Sequence, residues 1–329
     1  MTRLLIVIPT LNEAAHIADV LASVCGFPAA GQAMIVVADG GSTDATRDIV
    51  RRAVVQDARI RLIDNPGRLQ SAAVNLAVAQ FGDQAEWLLR MDAHSHYPQD
   101  FADALLAEAA ATGADSVVVS MDARGDGFWQ KAIAAAQNSR LGNGGSAHRL
   151  AGRGAWVDHG HHALMRISAF RAVGGYDEAF SHNEDAELDH RLRQAGFRIW
   201  LTGRTRLVYV PRSSLAPLMR QYQAFGRGRR RNLSKHGARP GMRQAVVALL
   251  APALALAVLA PFAWIFTLPL LGWVAICLAG GIAIALAERS LTGLPAGFFA
   301  GAMHLAWSVG FWREWLAGRR PSEGRLRHG

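Results

Sequence analysis

Three acidic groupings stand out for the chemistry their residue types and spacing could support. Asp39 closes one strand and opens the turn Asp39-Gly40-Gly41-Ser42-Thr43-Asp44, Asp92 heads Asp92-Ala93-His94, and Glu184 and Asp185 sit in His182-Asn183-Glu184-Asp185-Ala186-Glu187-Leu188-Asp189. A carboxylate can accept hydrogen bonds from a ligand, hold a hard divalent cation, or take a proton as general base. Asp92 is the candidate cation ligand, because a hard divalent ion such as Mg²⁺ or Mn²⁺ is held by carboxylate oxygen. His94 is either a second ligand, an imidazole that suits Mn²⁺ better than Mg²⁺, or a polar loop residue. Asp185 is the candidate base, with Glu184 as its substitute. Acids at the start of a helix reaching about Gln194 also favour the helix dipole, yet a cap would not need four of them.

Those side chains need a scaffold, and the first 210 residues supply one. Short apolar strands at 4–8, 33–38, 61–63 and 86–91 alternate with helical patterns at 12–25, through Ile49, and at 69–80. This alternation predicts a parallel-sheet α/β domain. In the turn after Asp39, Ser42 or Thr43 is expected to cap the next helix. The acids then fall at the carboxyl ends of strands, where open α/β sheets bind ligands. The apolar run at 4–8 is too short for a signal peptide and ends in Pro9, so it reads as a buried strand. Cys25 and Cys277 are the only cysteines, which excludes a disulfide framework and agrees with a reducing compartment.

The C-terminal third changes character. Residues 245–287 carry no charge and one hydroxyl, Thr267, and the run is too long for one crossing of a ~30 Å hydrocarbon core, so it reads as a helical hairpin turning near Pro261 and Pro269. A third apolar segment at 291–312 is long enough to cross but contains His304, Pro295 and several glycines. Just before the hairpin lie Arg220, Arg227, Arg229, Arg230, Arg231, Lys235, Arg239 and Arg243 with no acid among them, which marks that side as cytoplasmic and anionic membrane lipids as its partner. The tail, with Arg313, Arg319, Arg320, Arg325 and Arg327, is also basic, and three full crossings would place it outside. Either the third segment is re-entrant or interfacial, which the charge favours, or the charge preference is overridden here. No nucleic-acid module is present, and nucleic acid is not an expected partner. The expected organisation is a catalytic domain at 1–215, a basic interfacial linker at 216–243, a membrane region at 244–312 and a basic tail at 313–329.

The segments Pro9-Thr10-Leu11-Asn12-Glu13, Asp39-Gly40-Gly41-Ser42-Thr43-Asp44, Asp92-Ala93-His94 and Glu184-Asp185, in that order, resemble the inverting family 2 glycosyltransferases with a GT-A fold. Asn143-Gly144-Gly145-Ser146-Ala147-His148-Arg149, Val157-Asp158-His159-Gly160-His161-His162 and Gln221-Tyr222 with Gly226-Arg227-Gly228-Arg229 narrow the resemblance. It is to bacterial succinoglycan-type exopolysaccharide β-glucosyltransferases and covers about 4–231. What the resemblance implies is a GT-A, Rossmann-like nucleotide-sugar domain followed by transmembrane helices. It implies a UDP-sugar donor, UDP-glucose above all, and a β-linkage made to a lipid-linked saccharide, with an exopolysaccharide assembly complex as a possible partner. Pro9 and Glu13 would bind the donor, Glu13 at the ribose, Asp39 would accept the uracil imide proton, and Arg68 would lie over the nucleotide or be a solvated loop residue. Here His94 replaces the usual second acid of Asp-x-Asp. Gln221, Arg227 and Arg229 look like a divergent Gln-x-x-Arg-Trp motif, which would place an arginine on a diphosphate.

The run Asp158-His159-Gly160-His161-His162 invites a zinc reading, but its spacing fits no common structural site, and Ala163-Leu164-Met165 continues it as a strand. One or two of these histidines are expected to line the acceptor pocket. The glycines at 142–146 read as a mobile loop closing over the acceptor, and Gly174-Gly175-Tyr176-Asp177 as a turn shaping it. Three rivals to the transferase remain open at this point. They are a polyprenyl-phosphate glycosyltransferase, a processive synthase, and a catalytically silent nucleotide-sugar-binding scaffold.

Overall fold

The computed structural model describes residues 4–144 and 154–318. In chain order the elements are β1 (Leu4–Thr10), α1 (Ile17–Cys25), β2 (Met34–Asp39), α2 (Thr46–Gln56), β3 (Ile60–Asp64), α3 (Gln70–Phe81), β4 (Trp87–Arg90), α4 (Phe101–Thr112), β5 (Ser116–Ala123), α5 (Gly127–Asn138), α6 (Arg140–Asn143), β6 (Ala155–Trp156), β7 (His161–Arg166), α7 (Ile167–Ala172), α8 (Glu184–Gln194), β8 (Ile199–Tyr209), α9 (Leu215–Lys235), α10 (Met242–Ala255), α11 (Leu268–Glu288) and α12 (Gly293–Gly318). The chain divides into two compact units, residues 1–122 with 146–210 and residues 123–145 with 211–329.

The first unit is an eight-stranded sheet in the order β3-β2-β1-β4-β7-β5-β8-β6 with helices on both faces. Its central strand explains itself. Leu4, Ile6 and Ile8 enter one layer with Ile17, Val24, Val50, Phe101 and Leu105, while Leu5 and Val7 enter the other with Val74, Phe170, Leu188 and Leu192. A strand covered on both faces has no polar side to show, hence the unbroken apolar run.

The all-parallel expectation holds for one half only. β3, β2, β1 and β4 are parallel, but β7 runs antiparallel to both β4 and β5. The β4-α4-β5 crossover leaves a gap between two parallel strands, and β7 fills it from the opposite direction. The site depends on this reversal, because it brings the first residue of β7 to the same edge as the last residue of β4.

Local expectations shift as well. α1 starts at Ile17, not at 12, because Asn12 takes a left-handed conformation (φ 58°) and its backbone and side chain bond the turn after β2. Neither Ser42 nor Thr43 caps α2. The Ser42 hydroxyl donates to Asp39 and accepts from the Asn12 N–H, and Asp44 instead accepts from the Thr46 N–H and hydroxyl at the helix start. Gly142, expected in a mobile loop, lies in α6, buried, where a Cβ would collide with the Ala136 carbonyl. Residues 145 and 146 of that stretch, the remainder of the motif at 143–149, and the tail from 319 lie outside the described residues.

The second unit is helical. Among the described residues three segments are long and apolar enough to cross a membrane: Met242–Leu259, Trp264–Glu288 and Gly293–Gly318. Only 11% of each of the first two is buried, against 56% of the third, so α12 is the helix the others pack around. Glycine makes these contacts possible: a Cβ on Gly226 of α9 would strike the Trp307 carbonyl, and one on Gly310 the Gln223 carbonyl. Pro252 inside α10 cannot donate to the Ala248 carbonyl, and Ser308 Oγ (2.8 Å) and Trp312 Nε1 (2.6 Å) of α12 donate to it instead. The third segment is one unbroken helix.

Candidate active site

The loop after β1 and the turn after β2 are tied together by side chains. Asn12 N–H donates to Ser42 Oγ (2.8 Å), Thr43 N–H to Asn12 Oδ1 (2.8 Å), Glu13 N–H to Thr46 Oγ1 (2.8 Å) and Ala14 N–H to Asp44 Oδ2 (3.1 Å). This network holds Glu13 at the rim of a cleft of about 150 Å³ lined by Pro9, Glu13, Asn65, Arg68, Gln70, Asp92 and His94 among others. Five of the expected site residues therefore meet in one cleft. Gly40 lies at this junction, where a Cβ would meet the Arg68 Cα and the Thr10 carbonyl at 3.4 Å, an ordinary contact distance. Arg68 itself has φ 59°, which turns the loop over the cleft.

Asp39 is placed differently from the others. Its side chain is fully buried, accepting from the Gly41 and Ser42 N–H groups (each 3.1 Å), from Ser42 Oγ (2.5 Å) and from Arg47 (2.8 Å), and it does not line the cleft. Burial alone would raise its pKa, but the Ser42 and Arg47 bonds outweigh it and keep the carboxyl below its ordinary value. In this arrangement Asp39 braces the turn that positions its neighbours.

Asp92 follows β4. Oδ1 accepts from Gln70 Nε2 (2.9 Å), and the Asp92 N–H donates to the Tyr97 hydroxyl (2.6 Å). The register pairs Leu89 with Leu164 and Leu88 with Met165, so counting three residues outward sets His161 across from Asp92. His161 Nε2 is 3.5 Å from Asp92 Oδ2, and its Nδ1 is 3.6 Å from Asp185 Oδ2. Burial would raise the Asp92 pKa, but the His161 hydrogen bond and the positive field of His161, Arg90 and His94 hold it well below the usual carboxylate range. His94 turns the other way, with Nδ1 3.0 Å from Glu13 Oε1, so the structure pairs it with the expected ribose ligand rather than with Asp92.

Asp185 begins α8. Its Oδ1 accepts from Arg90 (2.6 Å) and from the Tyr176 hydroxyl (2.9 Å). Next to it, Glu184 is half-buried and pushed up to about 7 by burial and the Asp185 charge, against the pull of Arg90. The other acids of the cluster have structural partners: Glu187 forms a two-pronged pair with Arg191, and Asp189 accepts from the Gly160 N–H. Gln221, Arg227 and Arg229 lie on α9 of the second unit, where burial lowers the Arg229 pKa.

Sequence reasoning missed Gln70, Arg90 and Tyr97, and placed Tyr176 only in a turn shaping the acceptor pocket, not on Asp185. Arg90 carried a signal, because a cation ending an apolar strand needs a buried carboxylate partner. The others needed the fold.

Among the described residues no three His, Cys, Asp or Glu side chains converge as a metal cage. An ionised Asp92 at the cleft is nonetheless the donor expected of a site whose remaining ligands are substrate phosphates and water.

A parallel half-sheet with acids at its carboxyl edge, a reversed strand beside it and a helix opening on paired acids define a GT-A glycosyltransferase. The glycosyl transferase family 2 model matches residues 5–174, and the chain belongs to that family. It is 54% identical over 319 residues, 97% of both chains, to the succinoglycan biosynthesis protein ExoA of Rhizobium meliloti (strain 1021). It is 30% identical to the glycosyltransferase AglJ of Haloferax volcanii over 195 residues, 59% of this chain and 54% of that one. In fold it is similar to the mannosyltransferase PcManGT of Pyrobaculum calidifontis, crystallised with GDP-Man and Mn²⁺, at TM-score 0.54 and 21% identity over 93% of this chain and 87% of that one.

Proposed function

We propose that this glycosyltransferase moves a sugar, with inversion, from a UDP-sugar to a saccharide carried on polyprenyl diphosphate during exopolysaccharide assembly. UDP-glucose and a β-linkage are the proposed donor and product, and the cytoplasmic face of a bacterial inner membrane the proposed location. The observation that carries the reading is the meeting of Asp92 and Asp185 on the two sides of His161, beside a cleft lined by Glu13 and Arg68. The 54% identity to a succinoglycan biosynthesis protein supports the pathway class.

In this reading the acceptor hydroxyl oxygen attacks the anomeric carbon from the face opposite the diphosphate. Asp185 takes the hydroxyl proton, the bond to the phosphate oxygen breaks, and the nucleoside diphosphate leaves. One carboxylate suffices and no covalent intermediate forms. Glu13 and Arg68 orient the donor, and Asp39 keeps their turn in place. Asp92 would hold a divalent cation, Mn²⁺ or Mg²⁺, which when bound neutralises diphosphate charge. Gln221, Arg227 and Arg229 are proposed to meet a diphosphate of donor or lipid, and the other cations of α9 anionic headgroups.

A second reading of the base has its own support. Glu184, at about 7, is poised near neutral pH, where a general base works best. The deciding experiment measures UDP release by detergent-solubilised protein from a panel of UDP-sugars, with Mg²⁺ or Mn²⁺ and membrane lipid extract, for wild type, Asp185→Asn and Glu184→Gln. Lipid-stimulated turnover of one donor, lost in Asp185→Asn and kept in Glu184→Gln, is expected. Loss only in Glu184→Gln would move the base, and donor binding without turnover would favour a silent scaffold.

A further inference from the structure

We infer that Arg90 and Tyr176 are positioning residues, which hold Asp185 by Oδ1 so that Oδ2, on the His161 side, is the oxygen that takes the proton. This rests on the transferase reading with Asp185 as base. The three groups form a closed triangle: Arg90 to Asp185 Oδ1 is 2.6 Å, Tyr176 to the same oxygen 2.9 Å, and Arg90 to the Tyr176 hydroxyl 3.0 Å. Both donors are themselves fixed. The Arg90 side chain is 2% exposed, and the Tyr176 ring packs edge-on to Phe170 with centroids 5.5 Å apart. Asn75 pins the tyrosine backbone, accepting from the Tyr176 N–H (2.9 Å) and donating to its carbonyl (2.8 Å). Gly174 and Gly175, at φ 81° and 72°, make the turn that delivers the ring.

A carboxylate gripped at one oxygen by two rigid donors cannot rotate, so the direction of its second oxygen is set before the acceptor arrives. Orientation of this kind acts on the chemical step, not on donor affinity. Tyr176→Phe keeps the ring and removes one donor. Its expected effect is a fall in kcat of about ten- to a hundredfold, the range of a hydrogen bond to a charged group, with donor KM unchanged. In an Asp185→Asn background the same substitution should leave the residual rate unchanged, because the residue acts through Asp185. Equal losses in both backgrounds, or no loss in the wild-type background, would overturn the inference. Full activity of Asp185→Asn alone would instead sink the base assignment beneath it. Should Tyr176→Phe fail to accumulate, Arg90→Lys, which keeps the charge but not the planar fork, serves the same comparison.

A separate observation carries a second inference: the three apolar helices of the second unit cross the membrane an even number of times. The far end of α12 lies against α9. Arg231 pairs with Glu314 (3.0 Å), Arg313 donates to Gln223 (3.3 Å), and the Arg230 guanidinium stands over the Phe311 ring at 5.7 Å. Gly226 and Gly310 bring the two backbones together. α9 carries Arg220, Arg227, Arg229, Arg230, Arg231 and Lys235 and no acid. Six cations with no acid to pair them are too costly to place in hydrocarbon, so α9 stays at headgroup or water level. Three crossings would put Gly318 a full ~30 Å hydrocarbon core away from α9, which these contacts forbid. The same parity returns the basic tail to the side of α9.

The test uses the full chain with Cys25→Ala and Cys277→Ala. Gly241→Cys and Gly318→Cys, both at positions with nothing within 4 Å of an added Cβ, are treated with an impermeant maleimide in spheroplasts and in inside-out vesicles. Labelling of both in the same preparation is expected, and labelling in opposite preparations would overturn the inference. If a cysteine variant fails to insert, C-terminal fluorescent-protein and alkaline-phosphatase fusions report the same sidedness. None of these readouts depends on catalysis.

Discussion

Arg90 lies 2.6 Å from Asp185, with 2% of the arginine side chain and 17% of the aspartate exposed. Burial alone would pull the guanidinium pKa down, and the charge of Asp185 together with Tyr176, Asp92 and Glu184 more than reverses it. Removing one member of such a pair strands the other. Asp185→Ala should therefore cost about 3–5 kcal/mol of stability, whereas Asp185→Asn, which still offers an acceptor to Arg90, should cost much less. Thermal unfolding in detergent separates the two, while both variants lose turnover by about a hundredfold or more.

Glu184 gives a pH signature. Its pKa is raised in the folded state, from 4.5 to about 7, so the native protein binds more protons than the unfolded chain between those values. Stability from this group is present below the unfolded pKa and is lost as pH rises through the folded one. Glu184→Gln should remove that loss. Its Tm should rise relative to wild type as pH increases from about 4.5 to 7 and then hold level above it, in a pH series of melting curves.

The two candidate metal residues should behave unequally. Asp92 is held ionised at the cleft, whereas His94 is 52% exposed and turned to Glu13. Asp92→Asn should lose Mn²⁺-dependent turnover by about a thousandfold, while His94→Ala should raise the half-saturating Mn²⁺ concentration by about tenfold or less. Metal titrations of UDP release check both.

At the α9 and α12 contact, Gly226→Ala places a methyl against the Trp307 carbonyl. It should cost about 1–3 kcal/mol, as overpacking does. Gly272→Ala in α11, with nothing within 4 Å, should cost nothing and serves as the control in detergent melts.

Much of the first unit was legible because its signals are local. Buried strands must be apolar on both faces, so β1, β2 and β4 showed in the chain as runs, and α8 falls at Glu184–Gln194, where its acids and length put it. The start of α1 was not legible. Helical periodicity extends back to 12, and only the bonds of Asn12 to a turn 30 residues away explain why the helix waits until Ile17.

By itself the sequence determined the family motifs, the first four strands and the helices between them, the acids at strand ends and the basic belt before the apolar segments, since residue type and spacing carry each of these. Only the tertiary structure decided that β7 runs against β4, because strand direction depends on how the chain returns and not on composition. That reversal sets His161 between Asp92 and Asp185, at 3.5 and 3.6 Å, and β4 and the turn before α8 bring Arg90 and Tyr176 onto one oxygen of Asp185. Arg90 lies 86 residues from Tyr176 and 95 from Asp185 in the chain, where no local pattern reaches.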